Sequence, residues 1–551
     1  MFVPNLIIFH FFSYLLGMKI RTSLSIFIIS VFSLGLLSTV NGQQSADLLI
    51  KNGRIIDGTG NSWFYGDVAV KDGKIIRVGK LQGWTATKII DAKGMAVVPG
   101  FIDVHAHIET SIFDRPTADN FIYDGVTTVV TGNCGNSADD LSVFFTRIDS
   151  MKTSINIASL AGHNTIKRLG MGLSNRLPTP EELAQMEKLM DKAMKDGAVG
   201  LSSGLIYLPG MYSKTEEIVS LAKIAAQYEG VYSTHMRNEG LKVTEAIDEA
   251  LTIGRQAAIP VQISHFKVSG KANWGKSEMT LGMVKKARKE GIEVTIDQYP
   301  YTASSTNLAV LVPNWALDGG LDSLRKRMED PSVKKKIIDG MRTSAEEGKN
   351  KNFAYAVVAM YAPDTTLNGK NISEINRLKG RKKKLKYESE TVLDMLKLGN
   401  AQMVYHTMNE NDLQHFIRYP FNMPAADAGV SNGKGMPHPR GYGTNARVLG
   451  RYVRELQIIQ LEDAIRRMTS LPAQKFRLHE KGLLREGYSA DIVILDPATV
   501  TDNAEFTNPH QFSTGIPYVI VNGEVVIEDS KHTGARSGKS LRKLSDLTSS
   551  R

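Results

Sequence analysis

Six residues in this sequence have types and spacings that could hold and use a metal ion. His105 and His107 end the segment Gly100-Phe-Ile-Asp-Val-His-Ala-His. Alternate residues of a strand share a face, so both imidazoles would point the same way and could grip one ion. Cys134, in Thr131-Gly-Asn-Cys-Gly, is the single cysteine of the chain. A lone thiol forms no internal disulfide, which leaves core filling or chemistry. His235 closes Ser233-Thr-His, His265 closes Ser264-His, and Asp427 follows Ala426, each after an apolar run. Taken singly, each histidine reads as a hydrogen-bonded core group. Five imidazole or thiolate donors and a carboxylate, all at the ends of apolar runs, argue instead for one shared site. Imidazole with thiolate suits zinc, whereas magnesium and calcium favour oxygen donors. Zinc would lower the pKa of water from about 15.7 toward roughly 7, enough for attack on a carbonyl at neutral pH. His163, His406 and His438 have no partner at metal-binding spacing and stay outside that shell.

The elements that must position these residues alternate between strand and helix. Apolar, β-rich runs occur at 95–104, 126–131, 154–161, 198–202, 231–234, 261–264, 293–297 and 423–427. Amphipathic stretches such as 181–195 and 215–228 separate most of them. Eight strands with crossover helices predict an α/β fold, a parallel (β/α)8 TIM-like barrel whose C-terminal strand ends converge on one site. The gap at about 303–420 is too long for a loop and predicts a helical insertion. Outside the barrel, Asn52-Gly53 and Asp72-Gly73 are hairpin signals between short apolar runs. The same texture returns in Tyr518-Val-Ile-Val-Asn-Gly-Glu-Val-Val. The two ends together predict a small β-sandwich-like domain, from 43–98 and 481–551, beside a barrel at 99–480.

The first 42 residues stand apart. Lys19 and Arg21 precede the uncharged apolar run 24–37, and Val40 and Gly42 are small, which is the layout of a signal peptide. Met18 then reads as the start of translation. This predicts an exported chain, periplasmic or secreted, with no stable membrane span once processed; the rival is a retained anchor. The composition, 42% hydrophobic and 23% charged, is globular and excludes disorder or coiled coil as the main architecture. The net charge of +10 is scattered, apart from Arg381-Lys-Lys-Lys384 and the C-terminal tail. That is a solvated surface, with no nucleic-acid partner implied.

Longer segments carry a resemblance. Val98-Pro-Gly-Phe-Ile-Asp-Val-His-Ala-His and the Gly53-Arg-Ile-Ile-Asp-Gly-Thr-Gly start resemble the amidohydrolase superfamily. Gly125-Val-Thr-Thr-Val-Val-Thr-Gly-Asn-Cys-Gly, Thr234-His-Met-Arg-Asn-Glu, Asp297-Gln-Tyr-Pro-Tyr-Thr-Ala and His438-Pro-Arg-Gly-Tyr-Gly-Thr narrow it to the N-acyl-D-amino-acid deacylase (D-aminoacylase) family. The resemblance runs from about Ala46 to Lys543. It implies a tight zinc held by Cys134, His235 and His265, and a second, weaker metal position at His105 and His107 sharing the cysteine. It implies Asp427 as the catalytic acid and base, and Tyr207, Lys267, Tyr299 and Arg440 as substrate-side groups. The implied reaction is hydrolysis of the amide of a small-molecule N-acyl-D-amino acid to a D-amino acid and a carboxylate. Two positions depart from the family pattern. Ala426-Asp-Ala replaces Ser-Asp-Gly, and Asn445-Ala446 stands where Phe-Pro is usual.

Two alternative activities use related machinery. A hydrolase of D-residue-containing dipeptides would need the same site. A cyclic-amide, dihydropyrimidinase-like enzyme would share the barrel, but Ala198-Val-Gly-Leu-Ser-Ser lacks the lysine that bridges two metals in such relatives. A non-catalytic scaffold would be expected to lose ligands, and here all are present.

Overall fold

The computed structural model describes residues 44–543, so the expected signal peptide and the end of the basic tail lie outside it. Two units separate. Of the smaller, residues 44–45 and 82–85 are described, where the Thr85 N–H donates to the Gln44 carbonyl (3.1 Å). The larger holds 46–81 and everything from residue 86 onward.

Eight short parallel strands carry the centre of the larger unit. They are β1 (Phe101–Asp103), β2 (Val126–Thr131), β3 (Asn156–Ser159, continuing as Ala161–Gly162), β4 (Gly200–Gly204), β5 (Val231–His235), β6 (Val261–Ile263), β7 (Val294–Gln298) and β8 (Asn422–Pro424). Every residue of these strands is buried, as parallel strands covered on both faces require. The ladder runs β1-β2-β3 and then β3 through β8 in order. It closes just past the strand ends, where the Asp427 N–H donates to the His105 carbonyl (2.8 Å) and the His107 N–H to the Ala428 carbonyl (2.9 Å). The result is a closed parallel (β/α)8 barrel. Its helices follow local rules. Pro180–Lys195 starts with a capping box, Thr179 with Glu182, and buries Met186, Met190 and Met194 at four-residue spacing against the barrel.

The run 95–104 is two strands, not one. Ala96–Pro99 joins an outer sheet and Phe101–Asp103 starts the barrel. Gly100 lets the chain pass between them, since a Cβ there would sit 2.2 Å from the Thr127 hydroxyl. In the outer sheet Ile492–Leu495, from the far end of the chain, pairs antiparallel with Ala96–Pro99, which pairs parallel with Ser45–Ile55. Strands from both ends thereby hydrogen-bond as one nine-stranded sheet over a core that includes Ile50, Val68, Val97, Ile492 and Ile520. Asp72-Gly73 is a tight hairpin turn with both residues at positive φ. Asn52-Gly53 is not. It is a bulge inside the continuous strand Ser45–Ile55, with the Asn52 side chain tied to Asp91 (3.0 Å) and its N–H to Asp67 (2.9 Å).

The segment between β7 and β8 has its own core around Leu308, Leu324, Ile337, Phe353, Val392 and Met403. It contains the helices Leu321–Arg327, Pro331–Glu347, Ile372–Leu378 and Leu385–Leu398. Beside these helices the segment holds a three-stranded antiparallel sheet that the sequence reading did not foresee, in which Gln402–Tyr405 lies between Ser304–Asn307 and Ala356–Met360. Strands of four or five residues, whose paired residues lie 42 to 101 positions apart, leave little periodicity to detect. Among the described residues no helix is long and apolar enough to cross a membrane.

Candidate active site

The strand ends bring the six chemically active residues into one cluster. Cys134 follows β2, and its Sγ lies 3.3 Å from His105 Nε2, 3.6 Å from His265 Nε2 and 3.7 Å from His235 Nδ1. His107 Nε2 is 3.1 Å from Asp427 Oδ1, and His105 Nε2 is 3.5 Å from the same oxygen. Three overlapping donor groups emerge, each with ligand atoms within 4.8 Å of one another: His105-His107-Cys134, Cys134-His235-His265 and His105-His265-Asp427.

The backbone is strained where it aims these donors. Cys134 (φ +52°), His265 (φ +36°) and Asp427 (φ +48°) all adopt the left-handed region. Each such residue costs roughly 1–3 kcal/mol, so its neighbours must hold it there. The Asp297 carboxylate accepts the His265 N–H (2.7 Å), and the Ser202 hydroxyl accepts the N–H of Gly135, next to Cys134 (3.0 Å). Asp103 bridges β1 to β8 by accepting the N–H groups of His105 (2.9 Å) and Ala426 (2.8 Å). Burial pushes the Asp103 carboxyl up to about 8.

Electrostatics suit a cation. Burial holds His105 below the ordinary imidazole range and His235 well below it, so both are neutral donors. Burial, with the carboxylates of Asp427, Asp297 and Glu239, pushes the Cys134 thiol well up. A buried thiolate therefore needs a positive charge beside it. His105 Nδ1 and His235 Nε2 are buried without a hydrogen-bond partner among the described residues. Cys134 Sγ and the three imidazole nitrogens turned toward it form a compact thiolate–imidazole donor set, which a metal ion fits. Asp427 behaves oppositely. Burial alone would raise it, but the Arg440 guanidinium (2.9 Å), His105 and the His107 hydrogen bond hold it well below the carboxylate range.

The remaining residues singled out from the sequence surround this cluster. The Tyr207 ring packs edge-on to His235 (4.9 Å between centroids), and its hydroxyl hydrogen-bonds to Thr306 of the insertion (2.9 Å). Arg440 stacks over the Tyr299 ring (4.4 Å). Lys267 donates to Glu239 (2.6 Å) and lies 2.8 Å from His265 Nδ1. A cavity of about 1210 Å³ opens above, reaching His107, Cys134, Tyr207, Asp427 and Arg440. His163 lies elsewhere, paired with Glu217 (2.8 Å). His438 adjoins the site, accepting the Arg440 N–H (3.0 Å) and bonding the Ala303 carbonyl (2.9 Å). Asp297 and Glu239 received no role from the sequence. Both lay inside quoted segments, at a strand end and four residues after His235, where carboxylates facing ligands are to be looked for.

Comparison with known proteins agrees with this geometry. A profile of the amidohydrolase family matches residues 88–227 and 427–527. The D-aminoacylase of Alcaligenes xylosoxydans xylosoxydans is 33% identical over 521 residues, covering 90% of this chain and 98% of that protein. The N-acyl-D-glutamate deacylase of the same organism is 32% identical, with 91% and 97% covered. This chain belongs to the N-acyl-D-amino-acid deacylase family of amidohydrolases. A solved family structure, the N-acyl-D-glutamate deacylase of Bordetella bronchiseptica complexed with zinc and a phosphonate inhibitor, superposes with a TM-score of 0.78 at 32% identity, covering 91% of this chain and all of that one.

Both departures from the family pattern sit close to the site. Ala428 accepts the His107 N–H at its carbonyl (2.9 Å) and packs beside Gly441. Asn445 and Ala446 donate their N–H groups to the buried Asp124 (2.7 and 3.0 Å), pinning the helix Arg440–Arg447 that begins with Arg440. A proline at 446 could not make the second bond.

Proposed function

We propose that this enzyme hydrolyses N-acyl-D-amino acids to a D-amino acid and a carboxylate. The observation that carries the reading is the convergence of Cys134, His235 and His265 on one point beside an ionised Asp427 at the cavity floor. We assign the ion as zinc, held tightly by those three residues, with His105 and His107 offering a second, weaker position; the thiolate–imidazole donors and the zinc in the solved relative support this. When bound, such an ion supplies a charge that acidifies water and polarises the scissile carbonyl.

The chain's own groups do the rest. Asp427, ionised at neutral pH, accepts the proton of the attacking water at a carboxylate oxygen and hands it to the departing amine nitrogen. His107 orients that carboxylate through Oδ1. Arg440 Nη1, near Oδ2 but without an aligned hydrogen bond, keeps a donor for the substrate carboxylate, and Tyr299 backs its plane. Lys267 adds a second cation held by Glu239. With the carbonyl and carboxylate both fixed, the α-carbon has one direction left for its side chain, which makes the site chiral. The relatives named for D-substrates support the D direction. The expected outcome of amine-release assays on paired N-acetyl-D- and N-acetyl-L-amino acids is hydrolysis of the D series alone. Preference for the L series would refute this reading, and cleavage of cyclic ureides alone would replace it with the dihydropyrimidinase-like one. We further propose that the protein works outside the cytoplasm, on the strength of its N-terminal sequence.

A further inference from the structure

The described residues lining the cavity include three cations besides the histidines: Arg440, Arg237 and Lys434. Arg440 is committed to Asp427 and, on the deacylase reading, to the substrate's α-carboxylate. Arg237 is already paired with Glu249, and four of its five N–H donors are engaged. It donates from Nε and Nη2 to the two oxygens of Glu249 (2.9 and 2.8 Å), from Nη1 to the Met211 carbonyl (3.2 Å) and from Nη2 to the Ser213 carbonyl (2.8 Å). Lys434 is solvent-exposed. What remains of the wall toward the insertion is mainly apolar, formed by Leu208, Met211, Leu311, Val312 and Met360, with amides, hydroxyls and the exposed carboxylate of Glu347 between them, and it adds no further cation.

From this wall we infer, resting on the deacylase reading above, that the site takes N-acyl-D-amino acids with neutral, mainly apolar side chains and rejects acidic ones. A second carboxylate entering the cavity would give up water and meet no unengaged buried cation, a penalty that a neutral side chain of equal size escapes. An apolar side chain gains from the same wall as its surface is removed from water. The relatives named for D-glutamate and D-aspartate would then differ from this enzyme in the wall rather than in the metal cluster.

The test uses the full-length, metal-loaded enzyme and two nearly isosteric substrates, N-acetyl-D-glutamine and N-acetyl-D-glutamate, with N-acetyl-D-leucine and N-acetyl-D-methionine as apolar references. The expected order in kcat/KM is leucine and methionine first, glutamine next, and glutamate roughly tenfold or more below glutamine. In Met360→Lys, at a half-buried wall position, the glutamate-to-glutamine ratio should rise by about tenfold, with the circular dichroism spectrum unchanged. Glutamate hydrolysed as well as glutamine by the wild type, through Lys434 or otherwise, overturns the inference and leaves the deacylase reading standing. An unchanged ratio in a folded Met360→Lys protein overturns the placement of the side chain against this wall. Hydrolysis of none of the four D-substrates overturns the deacylase reading, and the inference with it.

Discussion

Cys134 is where a single atom decides most. Its Sγ touches three imidazoles, and no other thiol exists in the chain to replace it. Cys134→Ala removes the donor common to both assigned metal positions. The expected result is loss of most bound zinc by elemental analysis, and full retention would defeat the ligand assignment. Asp427 separates holding a metal from using it. Asp427→Asn keeps the shape and loses the exchangeable proton, so metal content should persist while kcat falls by about 10³-fold or more. Near-normal turnover at unchanged metal content would move the acid–base role to another group.

At the scale of elements, a buried charge network ties two barrel helices to the site. Lys167, on His163–Met171, donates to both oxygens of Glu217 on Thr215–Gln227 (2.9 and 2.7 Å), and His163 and Ser213 bond the same carboxylate. Next to His163, Asn164 donates to the Gly204 carbonyl at the end of β4 (3.1 Å), where the loop carrying Tyr207 begins. Burial would raise the Glu217 carboxyl, but His163 and Lys167 outweigh it and bring it down to about 2. A depressed folded pKa stabilises above the unfolded value of about 4.5, and the contribution fades as pH falls toward about 2. The span of roughly 2.5 units corresponds to about 3 kcal/mol. The stability difference between wild type and Glu217→Gln, from denaturant unfolding, should therefore be large at pH 7 and shrink by about that amount near pH 2. A pH-independent difference would mean that the carboxylate charge does not stabilise this joint.

At the scale of the larger unit, strands from early and late in the described residues finish as neighbours. Ile492–Leu495 beside Ala96–Pro99 makes the outer sheet depend on residues about 400 apart. Lys481 and Asp491, both buried, pair there, and Asp491 also takes a hydrogen bond from Asn156 at the start of β3 (3.2 Å). The segment after Arg536 lies along the foot of β3, with the Leu541 N–H on the Ile157 carbonyl (2.8 Å). All of these contacts lie between residues 96 and 541. Export with cleavage after about Gly42 is our proposal from the N-terminal sequence alone. N-terminal sequencing of protein from the cell envelope or medium should read from Gln43, and an uncut chain in the cytoplasmic fraction would refute it.

The barrel and the clustering of the candidate donors were legible in the sequence for one physical reason. Strand alternation, helix periodicity and strand-end placement are local signals, and a parallel barrel converts strand ends into a common site without further information. Positions 105, 107, 134, 235, 265 and 427 could be named that way, and the family segments supplied their neighbours. Pairings between distant residues have no local trace. The Asn52-Gly53 bulge looks like a turn until Asp67 and Asp91 are seen to hold it. The three-stranded sheet of the insertion exists because paired residues 42 to 101 positions apart meet. Asp297 and Glu239 acquire meaning only from the imidazoles opposite them. The neutral wall, likewise, depends on Glu249 having taken Arg237, an engagement between side chains that only the packed tertiary structure decides.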